Sequence, residues 1–90
     1  MAGQFTGMDV AGVRQLATQM RAKADEIRNL SQQLSSQLES TQWVGNDQIR
    51  FKGEWTGTHV AALNNVANGL EAAAQAADQN ATQQENASNS

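Results

Sequence analysis

The sequence predicts an all-α protein, an antiparallel helix-turn-helix hairpin that dimerises into a four-helix bundle. Apolar residues recur at steps of three, four and seven on both sides of the midpoint, which is the spacing of amphipathic helices. Proline, the strongest helix breaker, is absent from all 90 residues. Turn-forming residues around Gly45 separate the two helical patterns, and a short turn makes the two helices antiparallel.

The first helix is predicted over about residues 9–41. Asp9 suits the N-cap, because its carboxylate can accept hydrogen bonds from the free amides of the first turn. Residues 1–8 contain two glycines and are interpreted as a flexible arm. Charged and amide side chains such as Arg21 and Gln33 are expected in solvent. The apolar stripe comprises Val10, Val13, Leu16, Ala17, Met20, Ala24, Ile27, Leu30, Leu34 and Leu38.

The turn between the helices is predicted at about residues 42–46. Gly45 can adopt a positive φ at the end of the first helix. Asn46 or Asp47 can cap the start of the second helix.

The second helix is predicted over about residues 47–80. A kink or fraying is expected at 53–58, where two glycines weaken the helix by up to roughly 1 kcal/mol each. Residues 81–90 are mostly Gln, Asn, Ser and Thr, contain no apolar residue larger than alanine, and are predicted to form a disordered polar tail. The apolar stripe comprises Phe51, Trp55, His59, Ala62, Leu63, Val66, Leu70, Ala73, Ala74 and Ala77.

The dimer is predicted from the size of the core. A domain of 90 residues buries little of its own surface, and without cysteine it has no disulfide or thiolate metal site to compensate. An alanine-rich seam is thin, and the wide stripe of the first helix implies more than one packing partner. The predicted hairpin or dimer interface comprises Val13, Leu16, Met20, Ile27, Leu30, Leu34, Leu38, Leu63, Val66 and Leu70.

Composition argues against several classes of partner. The net charge is −3 and the six basic residues are scattered, so nucleic acid is not expected to bind. No apolar run reaches the length of about 18 residues that spans a membrane. The alanine-rich second helix also lacks the basic residues of a membrane-surface helix. The N-terminus lacks the charged and apolar regions of a cleavable signal peptide.

No residue pattern predicts catalysis, a cofactor, a metal site or a small-molecule substrate, and the chain is interpreted as a non-enzyme. His59 is the only histidine and the chain has no cysteine, so zinc binding and acid-base chemistry lack partners. We interpret His59 as a half-buried residue of the helix seam. The close acidic pairs, Asp25 with Glu26 and Asp47 with Glu54, are interpreted as solvated helix faces and caps.

The most specific motif is Trp43-Val44-Gly45, a W-x-G at the midpoint of a short chain, between two amphipathic helices and without proline or cysteine. This pattern resembles the WXG family of type VII (ESX) secretion substrates. The resemblance covers about residues 8–80. The residues that also resemble the family's second helix are the aromatic Phe51, supported by Trp55, and the apolar run Leu63, Val66 and Leu70.

The resemblance implies a small protein that pairs as a homodimer or heterodimer with another WXG-family protein. It further implies export by the type VII secretion ATPase, without a cleavable signal peptide, to the extracellular space or cell envelope. The W-x-G turn of the family lies beside the partner's C-terminal tail, and the two form a composite export signal. The family's tail signal is a tyrosine four residues before an acidic residue, and this chain has no tyrosine. Either a partner supplies that signal, or this chain uses a variant of it.

Two alternatives remain open at this stage. Trp43 either only closes the end of the hairpin as an apolar plug, or is also displayed to the secretion machinery. The whole chain either is a secreted substrate or adaptor, or is a structural or regulatory coiled-coil module without secretion.

Overall fold

The protein is a hairpin of helices in a computed structural model that describes residues 7–89. Helix α1 spans Val10–Ser40, α2 spans Asn46–Glu54, a π-helical turn spans Trp55–His59, and α3 spans Val60–Asn89. The described range contains no strand, and α3 packs along α1. The all-α class and the two helical arms joined by a turn are therefore confirmed. Most of the predicted N-terminal arm, residues 1–6, lies outside the described range.

Helix α1 is closed at both ends by local hydrogen bonds. Asp9 is the N-cap, as predicted, and its Oδ1 accepts from the Gly12 amide at 3.0 Å. At the other end, the Thr41 amide and Oγ1 both donate to the Gln37 carbonyl, at 2.9 and 2.6 Å. These bonds satisfy a carbonyl of the last turn and end α1 at Ser40.

Gly45 has the predicted positive φ, +128°, but its role differs from the prediction. It is the N-cap of α2, whereas α1 has already ended at Ser40. Asn46 and Asp47 lie inside the first turn of α2 and do not cap it, and Asp47 pairs with Arg50. At this φ, with a ψ of 177°, only glycine is unstrained, so the backbone conformation accounts for the residue type.

The irregularity predicted for residues 53–58 takes the form of the π-helical turn. The Val60 amide donates to the Trp55 carbonyl, five residues back, so the helix is locally wider by one residue. The extra residue changes the direction in which the side chains of α3 point relative to those of α2. The two helices remain continuous through the π-helical turn.

Helix α3 continues to Asn89, so the polar segment predicted to be disordered from residue 81 is helical as far as residue 89. The reason lies in its contacts with α1. Ala81 is fully buried, and Arg14 donates to Thr82 Oγ1 at 3.2 Å and to Glu85 Oε1 at 2.8 Å. Composition alone does not reveal these tertiary contacts.

The seam between α1 and α3 is built from small residues, and the large apolar residues predicted at the hairpin or dimer interface are not among its buried residues. Each helix contributes one small residue every seven positions, and none of these has more than 4% of its surface exposed. Such residues let two helix backbones approach closely, since no long side chain separates them. The seam comprises Ala17, Ala24 and Ser31 of α1, and Ala67, Ala74 and Ala81 of α3.

Three ion pairs run beside this seam with the same spacing of seven residues. Arg21 Nη2 lies 2.7 Å from Asp78 Oδ2, and the equivalent pairs one heptad away on each side are Arg14–Glu85, at 2.8 Å, and Arg28–Glu71. The arginines were expected to extend into solvent away from the seam. They lie instead against α3, because each sits three residues before a buried small residue.

Candidate interaction surfaces

The hairpin has two unlike flanks on either side of the small-residue seam. A step of 100° per residue places positions three and four residues before a buried residue on opposite flanks of it. The three ion pairs form the charged flank. The opposite, apolar flank carries Val13, Leu16, Met20, Ile27, Leu30 and Leu34 from α1, and Leu63, Val66 and Leu70 from α3.

The apolar flank is open to solvent. The exposed fractions of Leu16, Leu30, Leu34 and Val66 lie between 42% and 53%, and the five other residues of this flank are half-buried. The chain exposes 6427 Å² in total, about 1,300 Å² more than the roughly 5,100 Å² expected of a compact monomer of 9.6 kDa.

The size of the side chains on this flank changes along its length. Towards the bend, both helices contribute large residues, such as Ile27 on α1 and Leu63 on α3. Towards the open end, α1 still contributes Val13 and Met20, whereas after Leu70 the apolar residues of α3 are all alanine. The half of the flank near the bend therefore carries large side chains on both helices; we call it the thick half. The half near the open end carries large side chains on α1 and only alanines on α3; we call it the stepped half.

An aromatic row occupies the bend and comprises Trp43, Phe51, Trp55 and His59. Neighbouring ring centroids are 5.9 Å apart for Trp43 and Phe51, 6.4 Å for Phe51 and Trp55, and 6.3 Å for Trp55 and His59. The middle pair is stacked, with 14° between the ring planes. The predicted motif residue Trp43 and its aromatic support are thus brought together. His59 is exposed at the end of the row, and not half-buried in the seam as predicted.

Trp55 anchors this row to α1. Its Nε1 donates to Ser35 Oγ at 2.8 Å in a partly buried position. Sequence reasoning missed Ser35, because a serine in a polar helix face gives no signal of its own. Leu38, predicted at the interface, lies half-buried beside Trp55 at this end of the hairpin.

The W-x-G bend presents apolar side chains to solvent. Trp43 packs on Phe51 and keeps 42% of its surface exposed, while Val44 is 86% exposed and Ile49 is 67% exposed. The bend therefore combines a partly packed tryptophan with an accessible apolar surface, held by the glycine-specific backbone of Gly45.

Other kinds of site were sought in residues 7–89. No group of three or more His, Asp or Glu residues in this range is placed to hold a metal ion. None of the described helices combines the length and the apolar character needed to cross a membrane.

The fold and surfaces define a class of protein, a helical hairpin with a paired charged flank and an open apolar flank. Comparison with family models, curated proteins and solved structures gives no match.

Proposed function

We propose that this chain is a small secreted substrate or adaptor of a type VII secretion system that acts through helical dimerisation. The observation that carries the proposal is the open apolar flank of a hairpin whose bend is a W-x-G motif. The partner is another WXG-type hairpin, and the chain is exported from the cytoplasm by the secretion ATPase.

The apolar flank supports dimerisation into a four-helix bundle, with the two bends at opposite ends. Side-by-side bends would put large residues against large ones and alanines against alanines, leaving gaps near the open ends. Opposed bends set the thick half of one flank against the stepped half of the other. Alternating large and small residues in this way fills a core at native density.

Charge supports the same contact. The apolar flank carries one charged residue, Lys23, which lies one heptad from both Leu16 and Leu30. Its Nζ lies 3.1 Å from Glu26 Oε2 on the same helix, so this charge is paired. The acidic residues of α3 are all engaged on the charged flank. Two such apolar flanks therefore meet without desolvating an unpaired charge, which would cost several kcal/mol.

The bend supports the export role. Trp43 and Val44 keep accessible apolar surface, which suits recognition by a protein of the secretion machinery. Because the chain has no tyrosine for a tail signal of the WXG type, a partner's tail completes the composite signal. Export of this chain then requires co-expression of such a partner.

Export of bend variants tests the proposal. Trp43→Ala is expected to block export while circular dichroism and mass in solution still report an intact helical dimer. Gly45→Val should act likewise, because valine does not tolerate a φ of +128°. Ile49→Ala is the matched control, since it removes another exposed apolar side chain of the bend.

Two outcomes would contradict the export role. Export of Trp43→Ala that falls only as far as its loss of stability would make the tryptophan a structural plug. Efficient export with every other small W-x-G protein deleted would remove the need for a partner's tail.

A second candidate function, a coiled-coil interaction module without secretion, is favoured by the heptad spacing of the small residues and ion pairs. The two candidates share the dimer and differ at the bend. For a module without secretion, Trp43→Ala would change stability and nothing else.

A further inference from the structure

The apolar flank is interrupted by a single charge, that of Lys23. This residue lies between Leu16 and Leu30, one heptad from each, where a third large apolar residue would continue the repeat. Its side chain is 61% exposed, so the ammonium group is solvated in the single hairpin. A lysine at one position of an otherwise apolar helix repeat costs stability and restricts the assemblies that the helix can form. Lys23 therefore carries information about the partner.

The direction of Lys23 is set by its place next to the seam. It directly precedes Ala24, which is fully buried in the seam, and one residue of helix corresponds to a rotation of about 100°. Lys23 therefore projects almost at a right angle to the line that joins α1 to α3. This is the direction from which a second hairpin would cover the flank. Leu30, one heptad further on, shares this direction and is 50% exposed.

The charge of Lys23 is paired within its own helix, at the edge of the flank. Its Nζ lies 3.1 Å from Glu26 Oε2. Glu26 is two residues after Ala24, or about 200° around the helix, so its backbone position is on the outer side of α1. Both side chains are more than 60% exposed, so solvent screens the pair. An ammonium group has three donors, and Lys23 can therefore bind a second acceptor on a partner.

Lys23 also lies close to the middle of α1. The helix spans Val10–Ser40, so its midpoint is residue 25, two residues or about 3 Å from Lys23. In the proposed dimer the bends are opposed. Two hairpins that face each other through the same flank then place their first helices against each other, antiparallel. The middle of α1 therefore meets the middle of the partner's first helix.

A second copy of this chain would bring a like charge to this point. The two Lys23 residues would lie within about 6 Å of each other along the bundle, where like charges repel. The described flank of such a copy offers no acid in exchange, because the acidic residues of α3 are engaged on the charged flank. An acidic side chain at this point would replace the repulsion by an ion pair.

We propose that Lys23 selects the partner, a different hairpin with an aspartate or glutamate in the middle of the apolar stripe of its first helix. The inference rests on the proposed dimer with opposed bends and adds the chemistry that its partner carries. The ion pair across the dimer favours the acidic partner, and repulsion between lysines disfavours self-association. A different chain is also what the proposed export signal requires, because this chain has no tyrosine.

A charge-reversed copy of the chain tests the proposal, because Lys23→Glu supplies the required acid on the same fold. One chain is fluorescently labelled, and sedimentation equilibrium measures Kd for the mixture with the natural chain and for each chain alone. Lys52→Glu is the matched control, since it is the same substitution at the only other lysine. Lys52 pairs with Glu39, which is 16 residues or about 24 Å from Lys23 along α1, well beyond the screening length of about 8 Å.

The natural chain should bind Lys23→Glu at least about tenfold more tightly than either chain binds itself, and added salt should reduce this preference. It should bind Lys52→Glu no more tightly than it binds itself. Lys23→Leu removes the charge and continues the apolar repeat, so this variant should self-associate at least about tenfold more tightly than the natural chain.

The two levels of the proposal fail in different ways. If Lys23→Leu dimerises but the natural chain binds Lys23→Glu no better than it binds itself, the selection by Lys23 is overturned and the apolar flank remains the contact. If Lys23→Leu and the mixture both sediment as monomers at all concentrations, the flank is not a contact. The proposed dimer then fails, and this inference fails with it.

Discussion

The two flanks of the hairpin follow the same heptad repeat but differ in whether their side chains are paired within one molecule. On the charged flank, each arginine of the repeat meets an acid of the same chain, so the flank is complete within one molecule. On the apolar flank, large side chains repeat at the same interval and remain half exposed. The seam between them is thin because its residues are small. The comparison indicates that the charged flank aligns the two helices, while most of the available stabilisation lies in covering the apolar flank.

The strongest test of this comparison is a charge on the apolar flank. Leu30→Asp is expected to dissociate the proposed dimer, because burying an unpaired carboxylate costs several kcal/mol, or at least about 100-fold in Kd. Sedimentation equilibrium measures the change. Gln33→Asp, an exposed position one turn away, is the control. Equal losses from both variants would show that the apolar flank is not the contact.

The seam between the flanks should be the next most sensitive region. Ala74→Leu inserts a large side chain where the residue is fully buried, and overpacking of this kind costs roughly 1–3 kcal/mol. Denaturant unfolding followed by circular dichroism measures the loss. Ala72→Leu, two residues away and exposed, should be nearly neutral. A neutral Ala74→Leu would mean that the helices are not closely packed there.

The bond that ties the bend to α1 predicts a smaller effect. Trp55→Phe keeps an aromatic ring but removes the donor to Ser35, and it should cost about 1 kcal/mol. Ser35→Ala should cost a similar amount, and the double variant should lose little more than either alone. Fully additive losses in this double-mutant cycle would show that the two side chains do not interact.

The charged flank should give the smallest effect. Arg21 and Asp78 are 46% and 32% exposed, so their pair is screened by solvent, and Arg21→Gln should cost less than about 1 kcal/mol. Added salt should weaken the natural chain slightly more than the variant, which keeps the other two ion pairs of this flank. If Arg21→Gln lowered the free energy of unfolding more than Ala74→Leu does, the charged flank would contribute more to stability than the seam, contrary to this prediction.

The helices and the bend were predictable because their signals are local. Apolar periodicity places the two arms, and Gly45 marks the one backbone position in the bend that requires glycine. The end of α1, predicted at about residue 41, lies at Ser40, because Thr41 closes the helix with its own side chain.

The seam was predicted less well, because its residues carry weak signals. Ser31 and Ala67 are buried through the partner helix and not through their own hydrophobicity, so an apolar count overlooks them. The ion pairs did have a signal. Basic residues spaced by seven on one arm and acidic residues spaced by seven on the other predict a ladder when the arms are antiparallel.

The repeat of seven also makes the alignment of the two arms ambiguous in itself. If α3 slid by one heptad along α1, Arg14 would meet Asp78, Arg21 would meet Glu71, and Ala17 would still face an alanine, Ala74. What removes the ambiguity is the connector at residues 41–45, whose fixed length permits a single offset. Two separate peptides carrying α1 and α3 would therefore be expected to associate as a mixture of offsets, whereas the tethered arms select one.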